Sequence, residues 1–458
     1  MWTGFILLGL AVVAGAVNAA PRVQVVDKWK VYVSPGVVMV GHAHVKVRAA
    51  VTLTVAPPDV VQVKDQRFPS LPLFDANGAP WAKGAKLPGL VTMETTAADM
   101  LVPESFVLKS APGAIAPLKL GTDYALESRW ATLGRLPDGA LKADQPAWAD
   151  YLYGRGRIDS ILVDRKGNVT LRKGAPHNAT PQPPLPGAEA VAIANIWVPG
   201  RLTALTDANL YPILEPHYSE PVHTHHPPAA TLLPKTWAKL QKGQQLRVLA
   251  WGDSVTEGGQ ASDEAHRYQS RFAVLLHKRF PEAMIELTTA AWGGRNSDSF
   301  LNDPPGAPHN FEQAVLKPHP DLIVMEFVND AYLSPEQVET KYSALLKRFQ
   351  EIGAEWIILT PHYVRPDWMG ASSVRVESDP RPYVAGVRQF GAKHHVAIAD
   401  ASLRWGHLHK EGIPYTTLLS NSINHPDDRG HELFAQALME LFGGPAMDGK
   451  VSGKKAER

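Results

Sequence analysis

The first candidate catalytic residue along the chain is a serine. Gly252-Asp253-Ser254 directly follows an apolar run, Leu246 to Trp251, and precedes a segment with helical spacing. A serine at a strand-to-helix turn exposes its hydroxyl beside a helix N-terminus, which favours developing negative charge. The same position is common for a serine that only caps a helix. Taken alone, the motif leaves a nucleophile and a structural cap equally open.

Three further groups with chemical potential follow later in the chain. Gly294, within Trp292-Gly293-Gly294, offers a backbone N–H that no side chain shields. Asn329 carries an amide that can donate to an oxyanion. His425, just ahead of the last helical segment, can act as a general base. Each of them alone has an ordinary place in a turn or a core, so only their combination indicates catalysis.

The elements that must position these groups alternate between strands and helices. Strands are predicted at Leu246–Trp251, Met284–Ala291, Leu322–Val328, Trp356–Thr360 and Val396–Ala399. Helices are predicted at Ala265–Arg279, Pro335–Glu351, Tyr383–His394 and Gly430–Leu441. This alternation predicts an α/β domain with a five-stranded parallel sheet of the flavodoxin-like type. Ligand sites in such sheets lie at the carboxyl ends of the strands, where the candidate groups fall.

The order of these groups resembles that of the SGNH/GDSL hydrolase family. It runs from the serine of a GDS motif through a glycine and an asparagine to a histidine near the C-terminus. The resemblance covers about 245–442 and implies a carboxylic ester hydrolase without a cofactor or metal. It implies that Ser254 attacks the ester and that His425 takes and returns the proton. It also implies an oxyanion hole formed by the backbone N–H groups of Ser254 and Gly294 and the side chain of Asn329.

One position departs from the family pattern. Most relatives carry an acid three residues before the histidine, and here that residue is Ser422. The third block also reads Val-Asn-Asp in place of Gly-Asn-Asp, which is a milder change. The departure leaves open what orients His425: Asn421, Ser422, a backbone carbonyl, or an acid elsewhere.

Asp427 and Asp428 are the nearest carboxylates in sequence, at the start of the last predicted helix. Acidic residues in a first helical turn have a ready use as caps. We therefore expect both to be caps and His425 to work in a dyad, with a neutral acceptor at its second ring nitrogen.

The remainder of the chain is predicted to form separate segments. Residues 21–213 alternate at period two, as in Val45-Lys46-Val47-Arg48, with frequent Pro and Gly, which favours a β-sandwich-like accessory domain. The full division is a signal peptide at 1–20, the β-rich domain at 21–213, a proline-rich linker at 214–243, the hydrolase domain at 244–445 and a disordered tail at 446–458. The signal peptide rests on an apolar run, Phe5 to Val17, followed by the small-residue site Val17-Asn18-Ala19.

Composition excludes several classes of function. The formal net charge is +1 and the chain has no basic stripe, so we expect no nucleic-acid partner. The absence of cysteine excludes disulfides and thiolate chemistry. A histidine cluster in the linker lacks the carboxylates and spacing of a metal site, and we expect it to be solvated; its members are His217, His223, His225 and His226.

These observations together predict a secreted or periplasmic serine esterase, with no membrane span in the mature chain. Its expected substrate is a small-molecule or polysaccharide ester, and the preferred reaction is removal of acetyl groups from a polysaccharide. His362 and Trp368, after the fourth strand, are candidates for the pocket wall, and a packed loop without contact to substrate is an equally open interpretation. Two alternatives stay open: a lipase or thioesterase acting on small esters, and a degenerate domain that only binds glycans.

Overall fold

The computed structural model describes residues 19–221 and 226–444. The predicted signal peptide up to residue 18, the predicted tail at 446–458, and both His223 and His225 lie outside the described residues. Among the helices that are described, none is long and apolar enough to cross a membrane.

The N-terminal region is β-rich, as predicted, and its paired strands run antiparallel in five small sheets. Its strands in the described range are β1 (Val23–Asp27), β2 (Lys30–Val33), β3 (Gly36–Val40), β4 (Ala43–Val47), β5 (Val51–Thr54), β6 (Asp59–Phe68), β7 (Ala85–Lys86), β8 (Leu101–Lys109), β9 (Tyr124–Glu127), β10 (Thr132–Arg135), β11 (Ala147–Arg155), β12 (Arg157–Asp164), β13 (Val169–Arg172), β14 (Ala190–Val198) and β15 (Leu210–Pro212). The predicted hairpin around Gly167 is present, with Ile161 of β12 opposite Leu171 of β13.

The C-terminal region is an α/β domain with a five-stranded parallel sheet, which confirms the predicted fold class. Its strands are β16 (Gln245–Gly252), β17 (Met284–Ala291), β18 (Leu322–Glu326), β19 (Glu355–Leu359) and β20 (Ala397–Ala399). They are ordered β17-β16-β18-β19-β20, the flavodoxin-like order, and every pairing is parallel.

Helices cover both faces of this sheet. They are α1 (Pro228–Leu232), α2 (Pro234–Gln241), α3 (Ser254–Glu257), α4 (Tyr268–Arg279), α5 (Ser297–Asn302), α6 (Pro335–Glu351), α7 (Pro382–His394), α8 (Ala401–His407) and α9 (Asp428–Glu440). Strand β16 shows the burial on both sides: Leu246 and Val248 join one apolar cluster, while Leu249 and Trp251 join the other. A strand that is buried on both faces has a continuous apolar sequence. This is why the sequence alone predicts a strand here.

The predicted linker differs from the structure in its second half. Residues 228–241 form α1 and α2, and Leu233 and Leu240 are buried in the core of the α/β domain. Pro228 and Pro234 stand in the first turns of these helices, where the missing N–H costs nothing. Two of the prolines that resembled linker composition, Pro228 and Pro234, therefore mark helix starts.

The two regions contact each other through buried polar groups. The Asn195 side chain on β14 donates to the carbonyl of Gly412 at 2.9 Å. The guanidinium of Arg365 lies over the ring of Trp130 at 5.2 Å. Thr95, between β7 and β8, donates through its hydroxyl to the carbonyl of Asn421 at 2.5 Å. Buried polar groups that find partners across a boundary fix how the two sides dock.

Candidate active site

Ser254 stands at the point where β16 ends and α3 begins. Asp253 precedes it as the helix cap, and one of its carboxylate oxygens accepts the N–H of Val255 at 3.0 Å. The other oxygen accepts the backbone N–H of Asn329 at 3.0 Å. The capping role therefore belongs to Asp253, and the hydroxyl of Ser254 remains free to serve another purpose. Asp253 also joins the turn that carries Ser254 to the turn after β18.

Gly252 explains why this turn needs a glycine. A Cβ atom built there would lie 2.0 Å from Thr256 Oγ1 and 2.2 Å from the carbonyl oxygen of Glu326. We expect Gly252→Ala to lower the free energy of unfolding by about 3 kcal/mol, since overpacking of a rigid site forces backbone shifts. Urea denaturation of the two proteins would measure this difference. An unchanged midpoint and slope would show that the turn can relax at no cost.

His425 meets the serine from the opposite end of the domain. Its Nε2 lies 2.8 Å from Ser254 Oγ, and only 7% of the residue is exposed. Its backbone N–H donates to the side-chain oxygen of Asn421 at 2.9 Å. The same Asn421 oxygen accepts the N–H groups of Ile423 and Asn424, each at 2.9 Å. One amide thus fixes the loop that presents the imidazole.

The glycine and asparagine of the candidate oxyanion hole lie on two neighbouring turns. Gly294 has a φ of +72°, and a Cβ atom there would point into open space. At Gly293 a Cβ atom would lie 3.8 Å from Ser254 Cβ, so this turn adjoins the serine. The Asn329 side chain donates one amide hydrogen to the carbonyl of Arg295 at 3.0 Å. That bond fixes the orientation of the amide and leaves its second hydrogen for a ligand.

The second ring nitrogen of His425 faces a carboxylate that the sequence did not indicate. Glu94 Oε2 lies 3.1 Å from His425 Nδ1, although the ring N–H is not aimed straight at the oxygen. Such imperfect alignment is common in unliganded catalytic sites. The contact with His425 lowers the pKa of Glu94 to about 2, so the carboxyl is ionised at neutral pH. Where the sequence predicts a neutral acceptor, the structure thus places a carboxylate from the β-rich region opposite this nitrogen.

None of the four residues considered as orienting groups in the sequence, all of which the structure describes, forms a hydrogen bond with His425 Nδ1. Asn421 donates to Glu94 at 3.3 Å and so contacts the acid instead of the imidazole nitrogen. Ser422 has a φ of +57° and lines a cavity between the two regions, beside Trp130. Asp427 caps α9 by accepting the N–H groups at 429 and 430. Asp428 accepts both the N–H and the hydroxyl of Ser262 at 2.8 Å.

Two buried carboxyl groups lie beneath the serine turn. Burial raises the pKa of Asp253 to about 7, while backbone hydrogen bonds from Asn329 and Val255 oppose this rise. Glu326 is fully buried on β18 and accepts the hydroxyl of Thr256 at 3.2 Å. Burial and the nearby Asp253 carboxyl raise the pKa of Glu326 well above its ordinary value. Burial thus disfavours the charged forms of both carboxyls beneath the nucleophile.

His362 and Trp368 take different positions. His362 is fully buried and its Nε2 lies 2.5 Å from the carbonyl oxygen of Asn424, so it supports the His425 loop and does not line the surface. Trp368 is half exposed and borders an open cavity of about 330 Å³ that Asn329 and Tyr332 also line. In the part of the chain that the structure describes, no group of three or more His, Cys, Asp or Glu side chains could hold a metal ion.

Comparison with known protein families finds a match within the α/β domain. Residues 250–433 match the model of the GDSL-like lipase/acylhydrolase family. A search of curated proteins finds no match to the sequence. The matched range contains Ser254, Gly294, Asn329 and His425, and it excludes Glu94.

Several solved structures are similar to part of the chain. A two-domain esterase active on acetylated mannans is 20% identical over 47% of this chain and 54% of its own, with a TM-score of 0.38. An acetylxylan esterase from Geobacillus stearothermophilus is 20% identical over 44% of this chain and 94% of its own, with a TM-score of 0.34. A member of the lipolytic G-D-S-L family from Veillonella parvula is 16% identical over 43% and 98%, with a TM-score of 0.33. The chain spans about half the length of the mannan-active esterase.

Proposed function

We propose that the protein is an exported serine esterase that removes acetyl groups from a polysaccharide, on the premise that residues 250–433 match the GDSL-like lipase/acylhydrolase family model. The observation that carries this proposal is the 2.8 Å contact between Ser254 Oγ and His425 Nε2 at the carboxyl end of the sheet. A hydroxyl within hydrogen-bond reach of a buried imidazole is the arrangement that nucleophilic acyl transfer requires.

The reaction begins with proton transfer from Ser254 Oγ to His425 Nε2 as the oxygen attacks the acyl carbon. The carbonyl oxygen becomes an oxyanion, which the N–H groups of Ser254 and Gly294 and the amide of Asn329 stabilise. The imidazolium then gives its proton to the departing alcohol oxygen, and an acyl-serine remains. A water molecule attacks this ester with His425 as base, and the carboxylic acid leaves as Ser254 regains its proton.

The substrate side of the proposal rests on the cavity beside Asn329. Tyr332 and Trp368 are 59% and 49% exposed, which is unusual for large aromatic side chains. Their faces can pack against the C–H faces of a sugar ring, while their polar atoms stay in water. The cavity is open, and the polar residues Asn329, Arg381 and Asn424 share its lining with apolar residues. Export rests on the apolar run Phe5 to Val17 and the small-residue site after it.

Acyl-chain length provides a quantitative prediction. We expect kcat/KM for aryl esters to be highest with acetate or propionate and to fall toward octanoate, because the open cavity buries little of a long chain. A series of p-nitrophenyl esters of rising length measures this directly. A profile that rises toward octanoate would instead indicate a lipase.

The natural substrate class requires its own experiment. Purified protein should release acetate from one or more acetylated glycans, and the Ser254→Ala variant should release none above background. Hydrolysis of aryl acetates without acetate release from any glycan would limit the function to small esters. Binding of glycans without hydrolysis of any ester would identify the domain as a binding module.

A further inference from the structure

Two segments far from His425 in sequence lie against its imidazole. Ser254 meets its Nε2, Glu94 meets its Nδ1, and a Cβ atom at Gly259 would lie 3.3 Å from the ring edge. Asp427 and Asp428, the nearest acids in sequence, are engaged elsewhere as a helix cap and as the partner of Ser262. Glu94 is thus the carboxylate that faces the nitrogen where serine hydrolases hold their third group.

The loop that carries Glu94 is firmly attached to the His425 loop. The Thr95 hydroxyl donates to the carbonyl of Asn421 at 2.5 Å, and the Asn421 amide donates to Glu94 at 3.3 Å. Thr95 and Thr96 are both buried, and the Thr96 hydroxyl donates to the carbonyl of Trp130. Asn421 therefore organises the backbone before the imidazole and also holds the acid that contacts it.

We propose that Glu94 is the third member of a Ser254–His425–Glu94 triad, so that the β-rich region supplies part of the catalytic apparatus. Glu94 acts through His425 and not on the ester, which makes it a positioning residue. Its carboxylate holds the proton on Nδ1, keeps the Nε2 lone pair toward Ser254, and stabilises the imidazolium that forms during attack. This inference rests on the proposed esterase function.

The first test is Glu94→Gln, which keeps the shape and removes the charge. We expect kcat to fall by between about 10² and 10⁴, with little change in KM; the upper figure is the cost of an Asp→Asn change in a serine protease. A half-exposed acid, as Glu94 is, should give a smaller loss than a buried one. Glu94→Asp should recover part of the activity. Glu104→Gln, an exposed glutamate on β8, is the matched control and should keep full activity.

The pH profile distinguishes an orienting charge from a structural contact. Removing the carboxylate makes protonation of the imidazole less favourable, so the acidic limb of kcat/KM should move to lower pH in Glu94→Gln. The other titratable groups that interact with the ring are Asp253, His362 and His431. These three groups are present both in the unaltered protein and in the Glu94 variants. Burial lowers the pKa of both histidines, to about 4 for His431. The difference between the profiles therefore reports on Glu94.

The outcomes separate this inference from the proposed function. Full activity and an unmoved acidic limb in Glu94→Gln, alongside an inactive Ser254→Ala, would overturn the triad and leave the esterase intact. Loss of activity without a shifted limb and without recovery in Glu94→Asp would also overturn it, because that pattern describes a structural contact. An active Ser254→Ala protein would overturn the esterase mechanism itself. Circular dichroism of each variant verifies that the fold is retained.

Discussion

Replacing Ser254 with alanine should lower kcat by about 10⁴- to 10⁶-fold, the range seen when a serine hydrolase loses its nucleophile. The hydroxyl has one structural use in the described chain, its contact with His425, while the backbone bond from Gly259 to the Ser254 carbonyl persists in the variant. Stability should therefore change little. Hydrolysis of an aryl acetate measures kcat, and thermal unfolding measures the stability of the variant.

Two controls sharpen this experiment. Ser262→Ala removes a hydroxyl that contacts Asp428, and it should leave turnover nearly unchanged. The double variant Ser254→Ala/His425→Ala should be no slower than either single variant, because residues that act as a unit are not additive. A serine-directed organophosphate should label Ser254 in the unaltered protein. Near-full turnover by Ser254→Ala would refute the mechanism.

Asn329→Ala should lower kcat by about 10²- to 10³-fold with little change in KM, since it removes one donor to the tetrahedral oxyanion. The backbone N–H of Asn329 still reaches Asp253, so the turn retains its main anchor. A boronic acid that forms a tetrahedral adduct should lose affinity in proportion to kcat/KM.

The control for this change is Asn302→Ala at the end of α5, which should leave both constants unaltered. An effect of Asn329→Ala confined to KM would mean that the amide binds the substrate uniformly. In that case the oxyanion would depend on backbone N–H groups alone.

Many strands and helices of the α/β domain could be predicted from the sequence, because short local patterns determine where they begin and end. Met284–Ala291 and Pro335–Glu351 agree with the structure to the residue. The helix begins at a capping box in which Ser334 and Gln337 satisfy each other's backbone N–H groups, a pattern readable from four residues. The serine, glycine, asparagine and histidine could be named because each follows such an element at the same edge of the sheet.

Glu94 could not be found in this way. It lies in a loop whose neighbours, Thr92 and Thr95, show no motif, and it is 327 residues from its partner Asn421. Only the docking of the two regions brings it to His425. Ser422 illustrates the same limit, because its left-handed backbone turns the family's acid position toward the cavity beside Trp130. The docking of the two regions, and not residue spacing, thus brings a carboxylate to the imidazole.

The contact between Thr95 and Asn421 has a consequence for when the protein becomes able to act. During synthesis Glu94 emerges first, Ser254 later and His425 near the end of the described chain. Contacts between such distant segments form late in folding, because closing a long loop costs entropy before the contact stabilises it. A chain that already has its strands and helices still lacks the assembled group of three side chains. Under the proposed triad mechanism, ester hydrolysis begins only after the loop of Glu94 has docked on the loop of His425.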